Sequence, residues 1–388
     1  MAMSVDDDAA GRRRWPIGRA LINSHHKNEP TAGRSPRRKV MHCQSAVQWD
    51  ETMLDAFNHY LPRPVLDRIE SLAPTFPILP FFERLPALWN LDVRLPMMDE
   101  VEGYRQIICL SNPPLELIGS RQDGIDLASF VNDELAETCR RNPHHFPAFV
   151  ASVSMADPEA AVAEAGRAVR DLGAVGIQVF TNVAGRPLSD AAYLPLFEAM
   201  AAHDLPILIH PMRSAAFSDY ASEDASQNEV WFTFGWPYET SACVTRLIYS
   251  GLFDKLPGLK IVTHHMGGMI PYFAEKIALG FSQIFLGTLE RNPVGERAGL
   301  KRPPIDYFRM LYADTAVNGS AAAAACGHAF FGTDRCLFAT DAPFDPVDGR
   351  HLLSGTIAAI RGLDLDEAAR AKIFEGNARA LFRLEVGR

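Results

Sequence analysis

The sequence predicts an α/β fold, a (β/α)8 TIM barrel, from two observations. Short apolar runs rich in β-favouring residues alternate with amphipathic helical patterns, which is typical of repeated βα units. Several of these runs stop on a histidine or an aspartate and then break at proline or glycine. Chemistry in a barrel of parallel strands lies where the strands end, so these polar residues indicate the barrel mouth.

The predicted elements follow one another as such a barrel requires. Residues 157–173 form a predicted helix, with Pro158 in its first turn and Gly173 as its stop. The eight predicted strands cover residues 53–57, 106–110, 146–150, 175–180, 206–210, 259–264, 310–314 and 336–341. A doubly wound open sheet is the alternative fold, but no G-x-G-x-x-G or P-loop motif follows any of these runs.

Four strand ends carry residues with metal-ligand or acid–base chemistry. They end at His59, at His210, at the pair His264 and His265, and at Asp341. A buried carboxylate is costly unless it is paired or bound to a cation, and several such strand ends favour ligands over structural residues. Because His264 and His265 are adjacent on a strand, we expect only one of them to face the barrel axis.

The four strings occur in a fixed order together with three further motifs: WPYET at residues 236–240, YADT at 312–315 and EGNA at 375–378. With this order, the sequence resembles the amidohydrolase superfamily from about residue 53 to the C-terminus. Within it, the chain is similar to the branch of aminocarboxymuconate semialdehyde decarboxylase and γ-resorcylate decarboxylase. The resemblance implies a barrel of the metal-dependent hydrolase type.

The resemblance also implies roles for individual residues. His59, His210 and Asp341 are expected to bind one divalent metal ion, and Asp341 also to move protons. His265, which matches an H-x-G-G pattern, is expected to handle protons, and His264 is expected to pack outside the barrel or to reach another site. Imidazoles with a carboxylate suit zinc, so zinc is favoured over manganese.

Position 57 departs from the family pattern. The first strand of the family carries an H-x-H or E-x-H pair, and Phe57 occupies the first place of that pair here. Phenylalanine cannot bind a metal, but three protein ligands and an open position are a normal catalytic zinc arrangement. We therefore expect Phe57 to form an apolar wall beside the metal and to contact the substrate.

Two predicted insertions, residues 75–98 and 212–237, are rich in aromatic residues. Long βα loops of a barrel build the substrate pocket, although the same aromatics could instead cover the barrel or a dimer face. In the second insertion we expect Trp236 to line the pocket. Arg213 is a candidate for holding a substrate carboxylate through a bidentate pair of hydrogen bonds.

Composition limits the remaining function classes. Of the 388 residues 47% are hydrophobic and 22% are charged, which suits one barrel domain over residues 51–388. Residues 1–50 combine basic clusters with proline, serine and glycine, and we expect a disordered or weakly ordered extension. The net charge of −9 argues against nucleic acid as a partner, and no apolar run approaches the roughly 20 residues of a membrane span. Six cysteines without C-x-x-C spacing indicate reduced thiols and a cytoplasmic protein, and base rates favour a homodimer.

These observations predict a metal-dependent, non-oxidative decarboxylase of a small aromatic or unsaturated carboxylic acid. Two alternatives stay open at this point. The same residues could hydrolyse an ester, lactone or amide. Phe57 also motivates a second alternative, a barrel without a metal that acts as a binding or scaffold protein. Retention of His59, His210, His265 and Asp341 argues against this alternative.

Overall fold

The computed structural model describes residues 52–110, 112–280 and 300–385, so the predicted extension at residues 1–50 lies outside the described residues. All eight predicted barrel strands are present in the described ranges, with β3 and β4 continuing one another across Val150. The strands are β1 Met53–His59, β2 Tyr104–Cys109, β3 Ala148–Phe149, β4 Ala151–Ser152, β5 Ile177–Phe180, β6 Asn182–Val183, β7 Arg186–Pro187, β8 Ile207–His210, β9 Ile261–Thr263, β10 Tyr312–Asp314 and β11 Cys336–Leu337. Strands β6 and β7 form a small antiparallel hairpin beside the barrel.

The barrel strands lie in sequence order as two parallel sheets, β1-β2-β3 and β4-β5-β8-β9-β10-β11. No continuous ladder joins β11 to β1, and the last strand is shorter than predicted. Individual backbone hydrogen bonds link the two edges instead: Ala56 N donates to Phe338 O at 2.8 Å and Asp341 N to Phe57 O at 3.0 Å. These bonds hold the segment after β11 against β1, at the mouth.

Strand β1 contains a bulge that sets the direction of its last side chains. Its register against β2 shifts between Asp55 and Asn58, so β1 carries one extra residue there. Leu54 packs inside the barrel before the shift, and Phe57 packs inside after it. The bulge therefore moves the odd-numbered positions, and with them His59, from the outer to the inner face.

The helices cover the outside of the sheets. They are α1 Arg63–Leu72, α2 Leu79–Phe82, α3 Pro86–Trp89, α4 Leu91–Asp99, α5 Arg121–Arg141, α6 Pro158–Leu172, α7 Leu194–His203, α8 Val230–Thr233, α9 Gly235–Tyr249, α10 Leu252–Lys255, α11 Ala274–Gly280, α12 Pro304–Phe308, α13 Ala321–Phe331, α14 Arg350–Arg361, α15 Glu367–Ala371 and α16 Asn377–Phe382. Helix α6 confirms its prediction: Asp157 caps the first turn through its side chain, and Gly173 ends the helix at φ 77°.

Two apolar clusters stabilise this arrangement. The smaller fills the barrel interior and includes Leu54, Ile107, Leu208, Val262 and Leu337. The larger lies between the strands and the surrounding helices. Within the described ranges, every helix is too short or too polar to traverse a bilayer.

Both predicted insertions are present and have different structures. Residues 75–98 contain α2, α3 and most of α4, whereas residues 212–237 contain an irregular segment, α8 and the start of α9. The carbonyl of Pro237 lies so close to Gly268 that an added Cβ would meet it at 2.5 Å. Gly268, at φ 63°, therefore allows the second insertion to pack on the loop after β9.

Candidate active site

Five ionisable side chains meet at the ends of the barrel strands, and we call them the mouth cluster: His59, His210, His264, His265 and Asp341. His59 ends β1, His210 ends β8, and the other three lie in the loops directly after β9 and β11. The strand ends predicted to carry chemistry are therefore brought together. All four predicted site residues of this type lie within the cluster.

His59 is fully buried and is fixed through one ring nitrogen. Its Nδ1 lies 3.2 Å from the carbonyl oxygen of Leu110, which makes Nδ1 the protonated nitrogen. Its Nε2 makes no hydrogen bond and lies 3.2 Å from Asp341 Oδ1. His59 Nε2 is thus directed to the centre of the cluster, beside Asp341.

His210 is fixed in the same way. Its Nδ1 donates to the carbonyl oxygen of Pro211 at 2.7 Å, which leaves Nε2 unprotonated. Its ring centre lies 5.4 Å from that of His59. Burial, reinforced by His59 and His264, lowers the pKa of His210 well below its ordinary value, so this imidazole stays neutral.

Asp341 and His265 form the acid–base pair of the cluster. Asp341 Oδ2 lies 3.5 Å from His265 Nε2, and both side chains retain 19% exposure. Burial alone would raise the pKa of Asp341, but its contacts with His265 and His59 hold that pKa well below the usual range. Burial alone would lower the pKa of His265, yet the hydrogen bond and charge of Asp341 raise it. The proton of this pair therefore resides on His265.

The backbone is strained at both members of the pair. Asp341 has φ 62° and His265 has φ 56°, a left-handed conformation that is uncommon outside glycine. Such conformations persist where the surrounding structure imposes them, and they concentrate at functional sites. Here the reversal at His265 turns its side chain back toward Asp341.

This reversal corrects the expectation that only one of His264 and His265 faces the barrel axis. His264 follows Val262 on the inner face of β9, and it is fully buried beside Phe57 rather than packed outside the barrel. Strand alternation holds as far as His264 and fails at His265, where φ becomes positive. Both histidines therefore reach the mouth cluster.

Asp314 holds His264. Its carboxylate accepts a hydrogen bond from His264 Nδ1, and a second from the backbone N–H of His265 at 2.9 Å. His264 Nε2 is buried and makes no hydrogen bond. Burial lowers the pKa of His264 in spite of Asp314, so this imidazole too is neutral.

Phe57 lies among the imidazoles, as an apolar neighbour of the predicted metal site. Its ring stacks on His264 with ring centres 3.4 Å apart and meets the ring of His59 edge-on at 4.6 Å. The ring centre of His210 is 5.8 Å away. Phe57 therefore contacts the imidazole rings that surround it without supplying a ligand atom.

Aromatic rings flank the cluster. Trp236 lies 5.5 Å from His210 and Phe180 lies 5.1 Å from it, while Phe344 lies 5.3 Å from His59. Phe344 in turn stacks on Phe81 of the first insertion. Rings from both insertions thus take part in the apolar surroundings of the mouth.

Arg213 lies at the edge of this region. Its guanidinium is paired with Glu239 Oε1 at 3.2 Å, and its backbone carbonyl accepts the indole N–H of Trp236 at 3.4 Å. Its side chain is half-buried and packs over Phe217. The structure thus connects Arg213 to Trp236, and it pairs its charge with a carboxylate of the protein.

The residues fit a divalent metal ion by chemistry. Three imidazoles are anchored through Nδ1 and leave Nε2 for another partner, the arrangement that metal-binding histidines adopt, and Asp341 adds an ionised carboxylate. In the part of the chain that the structure describes, no three such side chains are yet as close as the ligands of a bound ion. His59 and Asp341 already meet, so the remaining approach concerns the imidazoles of β8 and β9.

The family model for amidohydrolases matches residues 118–384, which is more than half of the chain. The chain belongs to the amidohydrolase family. This amidohydrolase is 34% identical over 300 residues to a γ-resorcylate decarboxylase from Polaromonas sp. strain JS666, with 76% of this chain and 87% of the relative covered. It is 26% identical to a 2-amino-3-carboxymuconate-6-semialdehyde decarboxylase from Dictyostelium discoideum, over 79% of this chain and 80% of the relative. The predicted branch of the superfamily is confirmed.

Solved structures agree with the barrel fold of this amidohydrolase. A dihydroxybenzoic acid decarboxylase from Polaromonas sp. JS666, with bound manganese and the inhibitor 2-nitroresorcinol, superposes with a TM-score of 0.69 at 29% identity. The match covers 86% of this chain and 97% of that structure. The predicted (β/α)8 fold is thereby confirmed for this amidohydrolase.

Sequence reasoning missed two polar residues that hold the amidohydrolase site together. Gln178 is buried on β5 and donates from Nε2 to Leu110 O at 3.1 Å, the same carbonyl that orients His59. Asp55 is fully buried on β1 and accepts the backbone N–H of Phe57 at 3.1 Å. A polar residue inside an apolar strand run was the available signal in both cases.

Proposed function

We propose that this amidohydrolase is a metal-dependent, non-oxidative decarboxylase of a small aromatic carboxylic acid. The observation that carries the proposal is the contact of one carboxylate, Asp341, with His59 at 3.2 Å on one side and with His265 at 3.5 Å on the other. A decarboxylase needs a proton held beside the site that binds its carboxylate. Relatives named as γ-resorcylate and dihydroxybenzoic acid decarboxylases support the reaction class.

In this proposal His59, His210 and Asp341 hold a divalent ion. When bound, the ion supplies orientation and charge stabilisation to a carboxylate and a neighbouring oxygen. We propose manganese as the ion, which reverses the preference for zinc drawn from the sequence, because a solved relative at 29% identity carries manganese. Oxygen ligands from the substrate would add to the preference for manganese.

The proton follows from the pKa values of the acid–base pair. His265 holds the proton at rest, since its pKa is raised while that of Asp341 is lowered. The proton passes through the Asp341 carboxylate to the ring carbon that bears the substrate carboxylate, where a C–H bond forms. The bond from that carbon to the carboxylate then breaks, its electron pair returns to the ring, and carbon dioxide leaves.

The aromatic residues around the mouth suit an aromatic ring as substrate. Trp236 and Phe57 are proposed to pack against that ring, in keeping with their positions beside His210 and His264. Arg213 is proposed to bind a substrate oxygen, which requires its guanidinium to exchange Glu239 for the substrate. Its link to Trp236 supports a shared role in the pocket.

We further propose a cytoplasmic homodimer, with residues 1–50 as an extension to a single barrel domain. Five free cysteines among the described residues support a reducing compartment. Size-exclusion chromatography with light scattering tests the dimer. A chain lacking residues 1–50 that keeps its thermal midpoint would support the boundary.

Product analysis tests the proposed reaction. The purified full-length protein, loaded with manganese, is incubated separately with dihydroxybenzoates and with aromatic lactones. We expect carbon dioxide and the matching phenol from a dihydroxybenzoate, and no product from the Asp341→Asn variant. A ring-opened acid without carbon dioxide would identify a hydrolase instead. Less than about a tenth of an equivalent of metal, unchanged on reconstitution, would favour a scaffold protein.

A further inference from the structure

We propose that His264 supplies a metal ligand in place of the one that Phe57 removes. The inference rests on the proposed metal-dependent function and concerns the ligand set of that site. In the family pattern, the residue at position 57 is the first member of an H-x-H or E-x-H pair. This chain has Phe57 there instead, and a phenyl ring has no lone pair for a cation. The structure brings another imidazole directly against that ring.

Asp314 prepares His264 for this role. Its carboxylate accepts the Nδ1 proton of His264 and also the backbone N–H groups of His265 and Ala316, at 2.9 and 3.1 Å. The Nδ1 tautomer is thereby fixed, and Nε2 keeps its lone pair. Carboxylate–histidine pairs of this kind orient metal ligands and raise their basicity.

The free nitrogen of His264 lies in a place where nothing in the protein satisfies it. The side chain is fully buried, yet its Nε2 makes no hydrogen bond. His328 on α13 shows the ordinary alternative, since its Nε2 lies 3.0 Å from the hydroxyl of Thr333. Buried polar atoms are nearly always paired. The unpaired Nε2 of His264, beside His210, therefore indicates a partner from outside the chain, which we propose is the metal ion.

Ring geometry agrees with a shared ion. The ring centre of His210 lies 5.4 Å from that of His59 and 5.7 Å from that of His264. Imidazoles bound to one ion at about 2.0–2.2 Å have ring centres roughly 4.5–6.5 Å apart, depending on the angle at the metal. Both separations fall within this range. Phe57, stacked on His264, holds the plane of that ring without occupying its nitrogen.

Pulsed electron paramagnetic resonance on the manganese-loaded, full-length protein counts coordinated imidazole nitrogens directly. The variants are His264→Gln, Asp314→Asn and, as a matched control, His328→Gln, which removes a partly buried histidine whose Nε2 already has a partner in Thr333. A chelator competition measures manganese affinity on the same samples. Circular dichroism compares their folding.

We expect three coordinated imidazoles in the wild type and in His328→Gln, and two in His264→Gln with affinity lower by about 10²- to 10³-fold. Asp314→Asn should keep three imidazoles and lose about 10- to 100-fold in affinity, because only the orienting carboxylate changes. If His264→Gln misfolds, Asp314→Asn tests the proposal instead. A loss of manganese affinity in Asp314→Asn then supports the proposal, and an unchanged affinity refutes it.

An unchanged imidazole count and unchanged affinity in folded His264→Gln would overturn the inference. Decarboxylation by the wild type is assayed separately, so the two proposals fail in different ways. A wild type that decarboxylates while His264→Gln binds manganese normally refutes only the ligand. A wild type that binds manganese through three imidazoles without decarboxylating refutes only the proposed reaction.

Discussion

Strand β1 lies between two polar clusters that have opposite hydrogen-bonding states. On its outer face, buried Arg94 of α4 donates to Gln106 Oε1 at 2.9 Å, to Asn58 Oδ1 at 2.8 Å and to the carbonyl of His59 at 2.7 Å. Gln106 donates in turn to the hydroxyl of Tyr104 at 2.7 Å. We call these four side chains, together with Asp55, the outer network.

Asp55 completes the outer network. It accepts hydrogen bonds from the Tyr104 hydroxyl at 2.6 Å, from the Thr340 hydroxyl at 2.5 Å and from the backbone N–H groups of Phe57 and Thr340. Burial raises the pKa of Asp55 to about 6, so the carboxyl is still ionised at neutral pH. The network thus contains one negative and one positive side chain, and both are multiply hydrogen-bonded.

The mouth cluster, on the inner face of the same strand, is incomplete by comparison. His264 Nε2 is buried without a hydrogen bond, although its Nδ1 is anchored by Asp314. A saturated network stabilises a particular backbone geometry, whereas prepared but unpaired atoms require something from outside the chain. The comparison therefore separates residues that build the site from residues that are proposed to act in it.

The largest effect is expected from Arg94→Met, which breaks the outer network. Removing the guanidinium leaves the Asp55 charge without its buried counterpart, so the free energy of unfolding should fall by about 3–5 kcal/mol. Arg350→Met is the matched control, because Arg350 is paired with Glu100 at the surface and should lose less than about 1 kcal/mol. Denaturant titration measures both, and equal losses would contradict the structural role of the outer network.

A similar magnitude, but in metal affinity rather than stability, is expected from His210→Ala. Metal binding of about 10–16 kcal/mol shared among three or four ligands gives about 2.5–5 kcal/mol to each, or roughly 10²- to 10⁴-fold in affinity. The fold should persist, since the barrel interior below is apolar. His203→Ala, on α7, is the control. Full metal occupancy in His210→Ala under chelator competition would refute the ligand assignment.

The two clusters were not equally visible in the sequence. Apolar runs bounded by proline and glycine predicted the eight strands, and strand ends predicted His59, His210 and Asp341 as neighbours. The bulge in β1 was not predicted, because it depends on Asp55 binding the backbone N–H groups of both Phe57 and Thr340. Thr340 is distant from β1 in the sequence. The hydrogen bonds of buried Arg94 were not predicted for the same reason.

The loop after β9 shows the same limit at the site itself. Strand alternation correctly describes His264, but the reversal at His265 depends on Asp314 accepting the His265 N–H. The position of Asp314 at a strand end does not by itself connect this residue with His264. A contact across two strands was needed to associate it with His264.

A smaller effect, on turnover alone, is expected from His265→Asn. The variant should keep its metal but decarboxylate about 10²-fold more slowly, because asparagine cannot hold the proton that His265 shares with Asp341. Wild-type turnover should fall as the pH rises through the raised pKa of His265, where that proton is lost. Turnover profiles against pH with parallel metal analysis test this. An unaffected rate would make His265 a structural residue.

The smallest effect is expected where the two clusters meet, at Phe57. Phe57→His restores the H-x-H pair on β1, and an added imidazole should tighten manganese binding by about tenfold. The gain is limited, because the change also removes the ring that stacks on His264 at 3.4 Å. Turnover should fall, since a coordination position open to substrate becomes occupied. Chelator competition and turnover on one sample separate the two effects.

Combining this change with His264→Gln sharpens the comparison further. If His264 replaces the ligand missing at position 57, an imidazole at position 57 should recover most of the affinity that His264→Gln loses, because the number of ligands is restored. If both positions act independently, the double variant should show only the sum of the two single effects. Unchanged affinity in Phe57→His would mean that the bulge does not direct position 57 to the metal. His59, two residues further on the same face, would then lose its assignment as well.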